Sequence, residues 1–154
     1  MYHDSIIMAM YEPLKDTPTT LGPHPTISPA YARETCFSSA RNIARLMRSH
    51  RSCWGVDRMP VSNIQCITAA LFTLLDDVEE PNNREAFITL SIAAKSFSRR
   101  WESSRAVLAT LRTTAHERGV TLPIETDSLF NIHVTPRLVG MRDSVDTLDD
   151  SEEA

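Results

Sequence analysis

The chain has 154 residues, 42% of them hydrophobic and 23% charged, with a net charge of −4. That suits one soluble globular domain with flexible ends and excludes a wholly basic nucleic-acid binder. Cys36, Cys53 and Cys66 are too few and too scattered for a disulfide framework, and their odd number favours a reducing, intracellular compartment.

No basic run followed by an apolar core opens the chain, so no secretory signal is read there. The longest uncharged stretch, 59–75, contains Pro60, Ser62, Asn63 and Gln65 and falls short of the roughly 20 apolar residues of a bilayer span. It reads as a buried helix, and no membrane partner is expected.

In chain order, residues 1–14 are an N-terminal helix with the apolar run Ile6 to Met10, stopped by Pro13. That run reads as a helix docking onto a core. Residues 15–28 are a Pro-rich linker, because Pro18, Pro23 and Pro25 remove backbone donors and fix φ. Ser28-Pro29 is a helix start, with serine placed to accept an orphan N–H and proline in the first turn. The helix that follows runs to about Arg51. Ala32, Cys36, Ala40, Ile43 and Met47 share one of its faces, and Arg33, Arg41, Arg45, Arg48 and Arg51 the other.

Trp54-Gly55 breaks that helix and Pro60 opens the next. From Val61 to Val78 a broad stripe of Ile64, Ile67, Leu71, Leu74 and Leu75, with Phe72 off it, demands contacts from several sides, placing this helix at the centre. Glu80 to Asn83 reads as a turn. A third long helix over 84–101 places Phe87, Leu90, Ala93, Ala94, Phe97 and Trp101 on one face, and Ile88 and Ile92 mark a second side that needs covering. A fourth, 103–118, aligns Leu108, Leu111 and Ala115, and Gly119 is a left-handed C-terminal cap.

The pattern therefore predicts an all-α antiparallel bundle of four to five helices, with a helical domain over 29–123. Residues 1–123 carry 14 basic and 12 acidic side chains, whereas 124–154 carry 2 and 8. The segment 124–154 thus reads as an acidic, largely disordered tail, too poor in apolar surface to order itself. Its Val145 and Leu148 among Asp143, Asp146, Asp149 and Asp150 have the pattern of an amphipathic activation segment or of a solubilising tail.

Candidate chemistry is sparse. Asp76-Asp77-Val78-Glu79-Glu80 resembles the aspartate-rich motif of helical terpene synthases, whose carboxylates hold magnesium for a diphosphate. That is the alternative reading, a small metal-dependent enzyme using Asp76, Asp77 and Glu80, although a second metal motif is lacking. His50 and Cys53 have the spacing of two zinc ligands where a structural site needs four, and Cys36, Cys66 and His116 add no paired spacing. There is no Gly-x-Ser-x-Gly elbow, and four glycines make no phosphate loop. The arginine stripe has few interleaved aromatic or amide side chains to read bases, which argues against direct DNA contact.

Taken together, Tyr2-His3 with Met10 to Leu14, Cys36 with Ala40, Ile43 and Leu46, Trp54-Gly55, the Pro60-led helix, Phe97 and Trp101 with Leu108 and Leu111, and Gly119 to Pro123 resemble a known pattern. It is that of the C-terminal part of the regulatory domain of fungal binuclear-zinc-cluster transcription factors. The resemblance covers about residues 1–124; Tyr11 and Glu12 depart from the family's histidine and arginine.

It implies a non-enzymatic regulatory module in the nucleus, working through a protein partner, a missing half-domain or self-association. The candidate contact surface comprises Ile88, Ile92, Arg41, Arg45 and Arg48. The six-cysteine zinc cluster of the family has no counterpart here, so no zinc or other cofactor is expected in this chain. The resemblance further implies a truncated product, a partial gene model or a stand-alone descendant. Without its neighbours, such a module is expected to expose apolar surface and to self-associate.

Overall fold

A computed structural model describes residues 1–16, 27–55 and 58–130. Among them all regular secondary structure is helical, with no strand. The elements are α1 (Tyr2–Tyr11) running into a 3-10 turn (Glu12–Leu14), α2 (Pro29–Trp54), α3 (Asn63–Leu75), α4 (Pro81–Ser98), α5 (Glu102–Glu117), a 3-10 turn (Ile124–Thr126) and α6 (Asp127–Phe130). Most of the linker expected over 15–28 lies outside the described residues, as do residues 131–154 of the expected tail.

Helix ends follow local chemistry. The Ser28 hydroxyl accepts the Tyr31 N–H at 3.2 Å, a cap that contributes about 1 kcal/mol. At α4 the expected turn is instead the first turn of the helix. Glu80 is the N-cap, its carboxylate accepting the Asn83 N–H at 2.7 Å, and Pro81 occupies the first helical position, where its missing N–H costs nothing. Gly119 closes α5 at φ +66°, with the Val120 N–H reaching back to the Ala115 carbonyl at 2.9 Å.

α2 to α5 form the bundle, and α1 lies across α2 and α3. Antiparallel contact of α1 with α2 is marked by Asn42 donating to Asp4 at 2.6 Å near one end and by the Cys36 thiol at the Met8 carbonyl near the other. α3 packs against α1, α2, α4 and α5. Ile67, Leu71 and Leu74 of α3, Ile43 and Met47 of α2, Phe87 and Leu90 of α4, and Leu108 and Leu111 of α5 are fully buried together. Each such side chain stabilises the fold by roughly 1.5–3 kcal/mol through burial. Phe72, off the main stripe, is half-buried against this core beside Met8 and Ala9 of α1.

Three further expectations change: Trp101, placed from sequence on the apolar face of the third long helix, lies beyond the end of α4 and is 43% exposed. Of the apolar run in α1 only Met8 is inserted, whereas Ile6 and Met10 are 60% and 66% exposed and align with Tyr2 in an outward ridge at i, i+4 and i+8 spacing. Residues 124–130, assigned from sequence to the acidic tail, are packed on α4 and α5. Thr126 and Phe130 are buried, and the Phe130 ring lies 6.4 Å from that of Phe87. The apolar cluster 129–130 supplies the burial that the surrounding acidic composition conceals.

Candidate functional site

Because successive helices reverse direction, the α3–α4 connection and the end of α5 share one end of the bundle. The α2–α3 and α4–α5 connections share the other.

At the first end stands a charged cluster centred on Asp76. Lys15 is only 5% exposed, and its ammonium donates to Asp76 at 3.1 Å and pairs with Glu12 at 2.8 Å. Arg118 donates to the other oxygen of Asp76 at 2.8 Å, so this one carboxylate joins the segment after α1, the end of α3 and the end of α5. Arg33 adds bonds to the Lys15 carbonyl and to Asp16. These groups line a cleft of about 640 Å³. Burial alone pushes the Lys15 ammonium down, but its hydrogen bonds with Glu12 and Asp76 outweigh that and hold it above the ordinary lysine range.

Of the carboxylates singled out for magnesium, Asp76 is engaged by cations and Glu80 by backbone, while that of Asp77 is exposed and reached by the Asn83 amide at 3.5 Å. Asp76 is held by Lys15 and Arg118. The Asp77 carbonyl accepts from Asn83, itself 1% exposed. Glu80 caps α4, and the Asn83 N–H pulls its carboxyl below the usual range. Among the described residues no three of His, Cys, Asp and Glu converge as a metal site would require. Cys53 is exposed, and His50 lies against the Trp54 ring at 5.2 Å. Burial pushes the Cys36 thiol up, away from reactivity.

Most of the arginine stripe of α2, Arg51 excepted, is divided among internal partners. Arg41 donates to Asn83 at 2.9 Å and pairs with Glu34. Arg48 reaches across to Glu85 at 2.8 Å and Thr89 at 2.9 Å on α4, and Arg45 bonds Asn42 at 2.7 Å. Arg41 and Arg48 therefore stitch α2 to α4. Ile88 and Ile92 are half-buried on the outward side of α4. They sit between the Arg48 bonds on one flank and, on the other, the 124–130 segment, which is tied down by Arg84 to Glu125 at 2.9 Å and by Lys95 to the Leu129 carbonyl at 3.1 Å. Of the five residues of the candidate surface, Arg41, Arg48, Ile88 and Ile92 thus border one seam, whereas Arg45 turns to Asn42 on the side of α2 facing α1.

Sequence reasoning missed Lys15, hidden in a Pro-rich context that reads as linker, and Asn83, hidden in a presumed turn. Of the opposite end of the bundle the sequence marks only the Arg99-Arg100 pair beside Trp101, readable as a phosphate contact or as arginine stacked on the indole. There Trp54, Val61 and Trp101 are 61%, 44% and 43% exposed, and the same two connections carry exposed Arg51, Arg58, Arg99 and Arg105, none of which forms an ion pair among the described residues. No signal spacing announces this end, because two distant connections build it. No helix among the described residues is long and apolar enough to cross a membrane.

No family model and no solved structure matches the chain. Among curated proteins, the notoamide biosynthesis transcriptional activator notL′ of Aspergillus versicolor is 46% identical over 140 residues, 84% of this chain. The chain spans 22% of that relative's length. Over most of its own length, then, the chain is related to part of a transcriptional activator.

Proposed function

We propose that the chain is a non-enzymatic helical regulatory module of a transcription regulator, of the kind found in the C-terminal part of the regulatory domain of fungal zinc-cluster factors. In this reading it acts in the nucleus through protein contacts. The observation that carries the reading is the 46% identity to a transcriptional activator over 84% of the chain. Three features support it: the carboxylates of Asp76 and Glu80 are engaged in intramolecular bonds, Arg41 and Arg48 of α2 serve helix packing, and the apolar ridge Tyr2–Ile6–Met10 stands open to a protein neighbour. Zinc and DNA binding belong to other parts of such factors.

The test is a fusion of the full chain to a heterologous DNA-binding domain, with a reporter as readout and a fluorescent tag for localisation. A change in reporter output of several-fold in either direction, in nuclei, is expected. Output equal to that of the DNA-binding domain alone, from a fusion that is expressed and nuclear, would count against the reading.

A further inference from the structure

The two ends of the bundle differ in how their charges are used. At the α3–α4 end the cations Lys15, Arg84 and Arg118 each have carboxylate partners. At the α2–α3 and α4–α5 end, Arg51, Arg58, Arg99 and Arg105 have none among the described residues, and Glu102 is the acidic residue described beside them. Both tryptophans of the chain, Trp54 and Trp101, are exposed at this same end. Exposed tryptophan beside arginine is the composition that anchors peptide binding, since each offers a large surface together with a donor or a charge.

The path of the chain leads there. Glu125 is held by Arg84, in the first turn of α4, and Leu129 by Lys95, in its last, so the 124–130 segment travels toward the arginine–tryptophan end. Phe130 packs on Phe87, twelve helical residues or roughly 18 Å short of Arg99. Residues 131–142 can span up to about 40 Å. Beyond them, 143–153 carries Asp143, Asp146, Asp149, Asp150, Glu152 and Glu153 with no basic residue, and places Val145 and Leu148 among them.

We propose that this acidic segment, 143–153, docks on the arginine–tryptophan end of its own bundle, its carboxylates facing Arg51, Arg99 and Arg105 and its Val145 and Leu148 meeting Trp54 and Trp101. Tethering supplies an effective concentration in the millimolar range, so modest intrinsic affinity suffices. The docking goes beyond the transcriptional reading and stands or falls separately from it.

Because the two tryptophans are the only ones in the chain, their quenching by neutral acrylamide reports this end directly. The full chain at low salt is compared with itself in 1 M NaCl, where the Debye length is about 3 Å. Two further samples are a neutralised variant (D143N, D146N, D149N, D150N, E152Q, E153Q) and a charge-reversed one (R99E, R105E). Far-UV circular dichroism confirms that each is folded. High salt and both variants are expected to raise the quenching constant about two-fold at any protein concentration, because screening or removing the opposite charge frees the segment. Equal quenching in all samples would overturn the proposal. So would protection that disappears on dilution, which assigns the docking to a second copy. Salt-sensitive binding of a short DNA duplex that only the R99E, R105E chain loses would overturn it too, making this end a nucleic-acid surface.

Discussion

Replacing Asp76 by alanine and Lys15 by methionine should destabilise the fold unequally, although the two side chains form one pair. Lys15 is almost fully buried, its side chain 6% exposed, while that of Asp76 is 35% exposed. Removing one partner of a fully buried ion pair costs about 3–5 kcal/mol, since the other charge is stranded. In Asp76→Ala the Lys15 ammonium keeps Glu12, and a third of the lost carboxylate was already in water. The figure falls accordingly to about 1–2 kcal/mol, with the lost Arg118 bond included.

In Lys15→Met the aliphatic stem and its packing are retained, and Asp76 keeps both Arg118 and solvent. The cost is about 0–1 kcal/mol. In a domain of this size these differences correspond to roughly 2–4 °C in Tm per kcal/mol. Urea unfolding followed by circular dichroism measures both variants and the double mutant. A Lys15→Met cost equal to or above that of Asp76→Ala would refute the view that a buried cation, rather than the pair itself, sets the penalty. The pH dependence has a definite sign as well. A lysine whose folded pKa is raised stabilises fully below its ordinary value of about 10.4 and loses that contribution as pH climbs through the higher folded value. Wild type should therefore lose stability more steeply than Lys15→Met above that pH, and matching alkaline slopes would contradict the assignment.

Phe130→Ala should cost about 2–4 kcal/mol by urea unfolding, because it opens a hole against Phe87; a cost below 0.5 kcal/mol would show that 124–130 is not part of the packed body. Gly119→Ala, at φ +66° with open space around the added Cβ, should cost about 1 kcal/mol through backbone strain alone, and Gly119→Asn less. Glu80→Ala should lower Tm at neutral pH by uncapping α4. The capping carboxylate has a depressed pKa, so its contribution is present above the ordinary carboxylate range and vanishes as pH falls through the folded value. Wild type and variant should then converge in acid, and a constant gap down to pH 2 would refute the capping role.

Periodicity and punctuation in the sequence determined the helices, their buried faces and their ends. The spacing of Ala32, Cys36, Ala40 and Ile43, or of Phe87, Leu90 and Ala94, leaves a helix only one stripe to bury, and Ser28-Pro29 and Gly119 act over a few residues. The acidic run at 76–80 was legible as unusual, but its meaning was not. Lys15 lies 61 residues from Asp76 and Arg118 lies 42 away, and nothing local marks either as its partner. Similarly, composition hid the packing of Phe130, since burial depends on one well-placed aromatic side chain rather than on the average of its neighbours. Which arginines are spent on helix packing and which remain open, and the placing of Trp54 and Trp101 at the same end of the bundle, were decided by the tertiary structure alone, because charge pairing and exposure depend on distance in space, which helix reversal separates from distance along the chain.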